Sequence, residues 1–183
     1  MAALLARCGA GVVDTDAIAH ELTRPGGAAI DALRAEFGAD AIAADGSLDR
    51  VHMRALVFAE RAARQRLEAI LHPLIGAETE HRAAALEVPA IVFDVPLLVE
   101  SGRWRARVQR VLVVDCSEAT QVQRVVARSG WTPEAVAAVI AQQAPRALRR
   151  ACADAVIFND GLAPEQLAAE VTALWEHWGA SRV

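Results

Sequence analysis

At 183 residues, 54% of them hydrophobic, the chain suits one α/β domain with a small inserted lobe and is too apolar for a disordered segment. A net charge of −4 removes the electrostatic case for nucleic acid as the main partner. Cys8, Cys116 and Cys152 are scattered without paired spacing, which argues against a disulfide framework or a metal knot and for a reducing cytoplasm. Residues 1–6 are too few for the apolar stretch of a signal peptide, and no apolar run approaches the ~20 residues of a membrane helix. A soluble cytoplasmic protein is expected.

In chain order, residues 1–7 read as the last turns of a helix closed by Gly9-Ala10-Gly11, and 12–14 as a short buried strand. Residues 16–23 look helical until Arg24-Pro25-Gly26-Gly27 breaks them. Residues 28–37 put Ile30, Leu33 and Phe37 on one stripe, with Gly38 as the stop. Asp49 can cap a helix through Phe58, and a further helix spans 62–71. His72-Pro73 then reads as a restart, with proline as the first residue of a helix to about Leu86. Residues 23–86 therefore form an inserted helical lobe without strand signal.

Strands resume at 90–95 and 110–115, nearly continuous apolar runs ending near aspartate, and again at 155–158. Helices at about 118–128, 133–143, 146–152 and 164–178 alternate with them. The pattern predicts an α/β fold with a doubly wound parallel sheet.

Two carboxylates, Asp14 and Asp16, end the first strand. Such a strand end delivers acids to the carboxyl edge of an α/β sheet, where ligands bind. At i and i+2 of a strand they would share one side, one accepting a hydroxyl proton and the other holding water around magnesium. A helix cap by Asp16 and a loop contact by Asp14 account for the same residues equally well. His20 shares the helical face of Asp16, and taken alone reads as a half-buried polar residue. His72 alone reads as the residue before a proline, and Asp94-Val95-Pro96-Leu97-Leu98-Val99-Glu100 as a substrate wall or a structural turn. Arg124 and Arg128, one helical turn apart, and Arg146, Arg149 and Arg150 could clamp phosphate oxygens or line a solvated face.

Taken together, Val13-Asp14-Thr15-Asp16-(x3)-His20, Pro25-Gly26, Ala44-Asp45-Gly46-Ser47-Leu48-Asp49-Arg50, His72-Pro73-Leu74-Ile75, Val95-Pro96-Leu97-Leu98-Val99-Glu100 and Val111-Leu112-Val113-Val114-Asp115 occur in an order and spacing that closely resembles the dephospho-CoA kinase family. The resemblance covers essentially the whole chain. It implies a P-loop kinase fold with a core (1–22, 87–116 and 145–183), a helical lobe for the CoA precursor (23–86) and an arginine-bearing lid (117–144). It implies ATP-dependent phosphorylation of the ribose 3′-hydroxyl of dephospho-CoA, with Mg²⁺ accompanying ATP. By position, Asp16 matches the family's base and Arg146 an arginine that contacts ATP phosphates. The same match puts Asp14, Thr15, His20, His72, Pro96, Leu97 and Glu100 on the substrate side, Arg124, Arg128 and Arg149 on the nucleotide side, and Asp14 nearest to Mg²⁺. Pro145 stands where the family often has threonine, and Ala155 where it often has an acid.

The family's Gly-x-x-x-x-Gly-Lys-[Ser/Thr] loop has no counterpart in these residues, and all nineteen basic residues are arginine. That loop's amides cradle the phosphates and its hydroxyl holds magnesium. The register of the family puts Met1 just after the loop, so its central strand, between 90–95 and 110–115, is expected to be missing. An internal start at a valine codon is one expectation, decided by the upstream in-frame DNA; a decayed gene is its rival. The 183 residues are expected to turn over little. A dephospho-CoA binder without catalysis, or a kinase for another small nucleotide or nucleoside, are the alternatives.

Overall fold

A computed structural model describes residues 1–180. The chain divides into two compact units. One is Gly9–Val95; the other joins Met1–Cys8 to the residues from Pro96 onward.

In the first unit, β1 (Gly11–Asp14) pairs in parallel with β2 (Ile91–Asp94), Gly11 opposite Ile91 and Asp14 opposite Asp94. Valine and isoleucine favour the pleated backbone here, and Val13 is almost wholly buried. α2 (Thr15–Leu22) follows directly and buries Ile18 completely. Then come α3 (Ile30–Phe37), α4 (Arg50–Ala59) and α5 (Arg61–Ala84). The lobe core is Ala29, Leu33, Ala41, Leu48 and Met53, with Phe37 and Leu67 packed against it. Asp49 caps α4 as expected, its Oδ1 accepting from the amides of Val51 (3.0 Å) and His52 (2.9 Å). Gly27 must be glycine, because a Cβ there would stand 2.3 Å from the Leu22 carbonyl oxygen.

Two expectations need correction in this unit. His72-Pro73 does not restart the chain, since α5 runs unbroken through both. Proline deletes one amide donor from the ladder, but Ile70, Leu71 and Leu74 pack on the lobe core on either side and keep the turns in register. The lobe also contains one antiparallel bridge, Ile42 with Leu48, closing the Ala44–Ser47 turn.

In the second unit, α1 (Ala2–Arg7) packs against α10 (Pro164–Ala180). β3 (Leu112–Asp115) pairs in parallel with β4 (Ala155–Phe158), placing Asp115 opposite Phe158. Between them run α7 (Glu118–Ser129), α8 (Pro133–Gln142) and α9 (Arg146–Ala151), while α6 (Leu98–Ser101) is a single turn after Pro96. Leu5, Val111, Val136, Ile157 and Val171 are buried apolar side chains of this unit.

The α/β class with parallel strands holds. In place of one doubly wound sheet, the described strands form two two-stranded ladders, one in each unit. Each strand is four residues long, shorter than the runs 90–95 and 110–115 suggested, because a ladder extends only as far as its partner.

Candidate functional site

In the first unit, β1 stops at Asp14 because its side chain turns to cap α2. Asp14 Oδ1 accepts from the amides of Asp16 and Ala17, both at 2.9 Å. Two of the orphan donors at the helix start are thereby satisfied. Asp14 is thus the cap and Asp16 a first-turn residue of α2, not two residues of one strand. Thr15 between them is buried, and its hydroxyl donates to the Asp94 carbonyl at 2.9 Å, stitching the start of α2 to the end of β2.

Asp16 stands at the exposed edge of this cluster. Partial burial of its carboxyl, followed by the charges of Asp14 and Asp94, raises its pKa; His20 opposes them. His20 sits one turn along α2 on the same face. The sequence motif Asp14-Thr15-Asp16-His20 is therefore assembled at one place, joined by Asp94, which sequence reading places only at the head of the Asp94–Glu100 segment. Its signal was available: an apolar run ending in an acid, in register with another of the same kind.

Behind this edge, Arg82 of α5 grips α2. Its Nη2 donates to Glu21 Oε2 at 2.6 Å and its Nε to Glu78 Oε1 at 2.7 Å. Thr23 at the end of α2 accepts from Arg50 Nη2 at 2.7 Å, joining the Asp49-Arg50 motif to the helix that carries Asp16. His72 lies half-buried in the middle of α5, in the same unit.

The second unit gathers charge at the carboxyl ends of β3 and β4. Asp115, 5% exposed, accepts a forked pair from Arg146: Nε to Oδ1 at 2.7 Å and Nη2 to Oδ2 at 2.6 Å. Those hydrogen bonds hold the Asp115 carboxyl below the ordinary carboxylate range, against the opposing effect of its burial. The Arg146 guanidinium also lies over the Phe158 ring, 5.4 Å from its centroid. Arg150 Nε stands 3.8 Å from Asp115 Oδ2, and Arg149 adds its charge there while donating to Gln143 Oε1 at 3.0 Å. Asp160 accepts from the Thr120 hydroxyl and from the Ser117 amide at 3.0 Å, which in that order lower its pKa. Arg124 contributes its charge to Asp160 and to Cys116, whose thiol is pushed up mainly by burial.

Arg124, Arg146 and Arg149 are thus brought to one edge, joined by Arg150. Arg128 lies one turn further along α7, where its Nε meets Ser129 Oγ at 3.5 Å. Glu100, expected on the substrate side, has a protein partner: its Oε1 accepts the Ala144 amide at 2.7 Å. Pro96 and Leu97 are exposed before α6. What sequence reading missed here is Asp115 as the anchor of Arg146; its signal was the acid closing the apolar run 110–115.

This arrangement offers a carboxylate able to accept a proton and, separately, an arginine cluster suited to anionic oxygens. A family model described as dephospho-CoA kinase matches residues 1–165. A dephospho-CoA kinase of Bordetella parapertussis is 56% identical over 179 residues, covering 97% of this chain and 84% of that protein. One from Burkholderia pseudomallei is 54% identical over 178 residues, covering 97% and 88%. A crystal structure from Thermus thermophilus superposes with a TM-score of 0.80 at 32% identity, covering 96% of this chain and 88% of that one. A dephospho-CoA kinase from Campylobacter jejuni has a TM-score of 0.69 at 19% identity, covering 99% and 90%, a likeness of fold alone.

Proposed function

The chain belongs to the dephospho-CoA kinase family, and from that premise we propose that it transfers the γ-phosphoryl of ATP to the ribose 3′-hydroxyl of dephospho-CoA, with Asp16 as the base. The 3′-oxygen attacks the γ-phosphorus in line. The bond from that phosphorus to the β–γ bridging oxygen breaks, and its electron pair leaves with ADP. The hydroxyl proton passes to the Asp16 carboxylate. The observation that supports this reading most is the placement of Asp16: capped into position by Asp14, exposed, and made more basic by its surroundings. A more basic carboxylate is a better proton acceptor, provided it remains ionised at working pH.

Arg146, Arg149 and Arg124 are assigned to the ATP phosphates, where arginine forks spread the charge of the migrating group. His20, Thr15, His72, Pro96 and Leu97 are assigned to the acceptor side. Among the described residues no group of three or more His, Cys, Asp or Glu side chains could hold a metal ion. Mg²⁺ accompanying ATP would be held by phosphate oxygens and water, with Asp14 as the outer carboxylate. When bound, it would neutralise charge on the phosphates. No helix among the described residues is long and apolar enough to cross a membrane.

The test is a coupled ADP-release assay with ATP and dephospho-CoA, run on these 183 residues and on a version extended ahead of Met1 by a Gly-x-x-x-x-Gly-Lys-Ser/Thr loop. Turnover in the extended version, lost in Asp16→Asn, is the expected result. Full activity of Asp16→Asn would refute the base assignment.

A second reading rests on composition, since the 183 residues contain no lysine to reach the β- and γ-phosphates. On that reading these residues bind dephospho-CoA and turn over little by themselves. Calorimetry with each substrate separates the two, because binding of dephospho-CoA without ATP favours the second.

A further inference from the structure

We propose that Asp115 is a positioning residue for Arg146, fixing its guanidinium against β3 so that the remaining donors face a polyphosphate. The inference rests on the assignment of Arg146 to the ATP phosphates.

A guanidinium carries five N–H donors in a planar fork. Asp115 engages the Nε–H and one Nη2–H, leaving the second Nη2–H and both Nη1–H. The side engaged is buried, with the Asp115 side chain 4% exposed; Arg146 itself remains 32% exposed. The head is thus fixed on its inner side and open on its outer side. The ring of Phe158 supports its face, and Phe158 is the register partner of Asp115, so edge and face supports come from one rung of the ladder. Flexible arginine side chains lose rotamer freedom when they bind a ligand, and an arginine already held in place loses less.

A purely structural ion pair would be close to neutral in its surroundings. Here Arg124, Arg146, Arg149 and Arg150 act on the carboxylates of Asp115 and Asp160, four positive charges on two negative ones, which suits an anion of more than one charge. Asp115 therefore does not cancel Arg146; it directs it.

The experiment titrates MgATP and, separately, adenosine into the chain and its variants by calorimetry, with melting temperatures recorded for each. Asp115→Asn is expected to weaken ATP roughly tenfold while adenosine changes less than about twofold, since only the phosphates meet Arg146. Adding Asp115→Asn to Arg146→Ala should cost no further ATP affinity, because the anchor acts only through the arginine. The proposal is overturned if Asp115→Asn leaves ATP binding unchanged, if ATP and adenosine weaken together, or if the two substitutions add. Should Asp115→Asn fail to fold, Arg146→Lys decides, because it keeps the charge and loses the fork. A loss as large as that of Arg146→Ala supports the proposal, and retained affinity overturns it. If Arg146→Ala itself leaves ATP binding untouched, the phosphate assignment falls and this inference with it.

Discussion

Asp14 and Asp94 face each other at the last rung of a parallel ladder, and both charges act on the carboxyl of Asp16. Neighbours in register point to the same side of a sheet, so two strand ends concentrate negative charge next to the first turn of α2. The pKa of Asp16 is raised by burial first and by these two acids second. A base must be ionised, so the acid limb of the rate profile is expected above that of an unperturbed aspartate. Asp94→Asn removes one of the raising charges and should move that limb to lower pH. A profile that stays in place in Asp94→Asn contradicts the assignment of the limb to Asp16.

Asp16→Asn tests the chemistry and the fold together. Removing a general base costs about 10²–10⁴ in turnover. For stability, a carboxyl whose folded pKa is raised favours the protonated form, so its ionised form weakens the fold at neutral pH. A neutral amide there should leave the melting temperature at pH 7 no lower than that of the parent. Loss of turnover accompanied by a lower melting temperature would point instead to a structural role.

Asp14→Ala removes the acceptor of two helix-start amides, at a cost of about 1 kcal/mol by analogy with other caps. Because the same two bonds orient the backbone of Asp16, turnover should fall by more than the stability change explains. Urea midpoints compared with kcat for Asp14→Ala and Asp14→Asn check this, with asparagine restoring both in part.

The Asp115–Arg146 pair has the opposite pH signature. Its carboxyl is held below the usual value near 3.8, first by the Arg146 hydrogen bonds. Its contribution is therefore complete above that value and disappears as the pH falls through the lower folded pKa. Melting curves of parent and Asp115→Asn should differ by a constant amount from pH 7 to about pH 4 and converge below it. Convergence above pH 5 would contradict the pairing.

Gly27→Ala is expected to cost on the order of 3 kcal/mol, since the new Cβ meets a backbone oxygen at 2.3 Å that no rotamer change can move. Leu33→Ala, in a fully buried site of the lobe core, should cost a similar amount, about 2–5 kcal/mol, by leaving a cavity. Chemical denaturation measures both.

Local chemistry was enough for much of this molecule. Apolar runs rich in valine and isoleucine set the strands, Asp49 set a helix start, and Gly38 set a helix end with positive φ. The ordered motifs from Asp14 to Asp115 indicated the family, because each pairs a residue type with a fixed place at a strand end or a turn. Pro73 was the exception. Its local preference for a helix start is real, but packing of the flanking leucines and isoleucine outweighs one lost amide.

What the linear chain left open was partnership across distance. Asp14 was equally a ligand or a loop contact, with Asp16 as the candidate cap, until the Asp14 oxygen was found between two amides; nothing in the linear chain tied Glu100 to the Ala144 amide, 44 residues away. Asp115 and Arg146 are 31 residues apart and no periodicity links them. Asp94 joins Asp14 only through strand register. Hydrogen bonds and charges act over a few ångströms in space whatever the separation along the chain, so residue type and spacing determined the elements, and tertiary packing alone decided which side chains share a site.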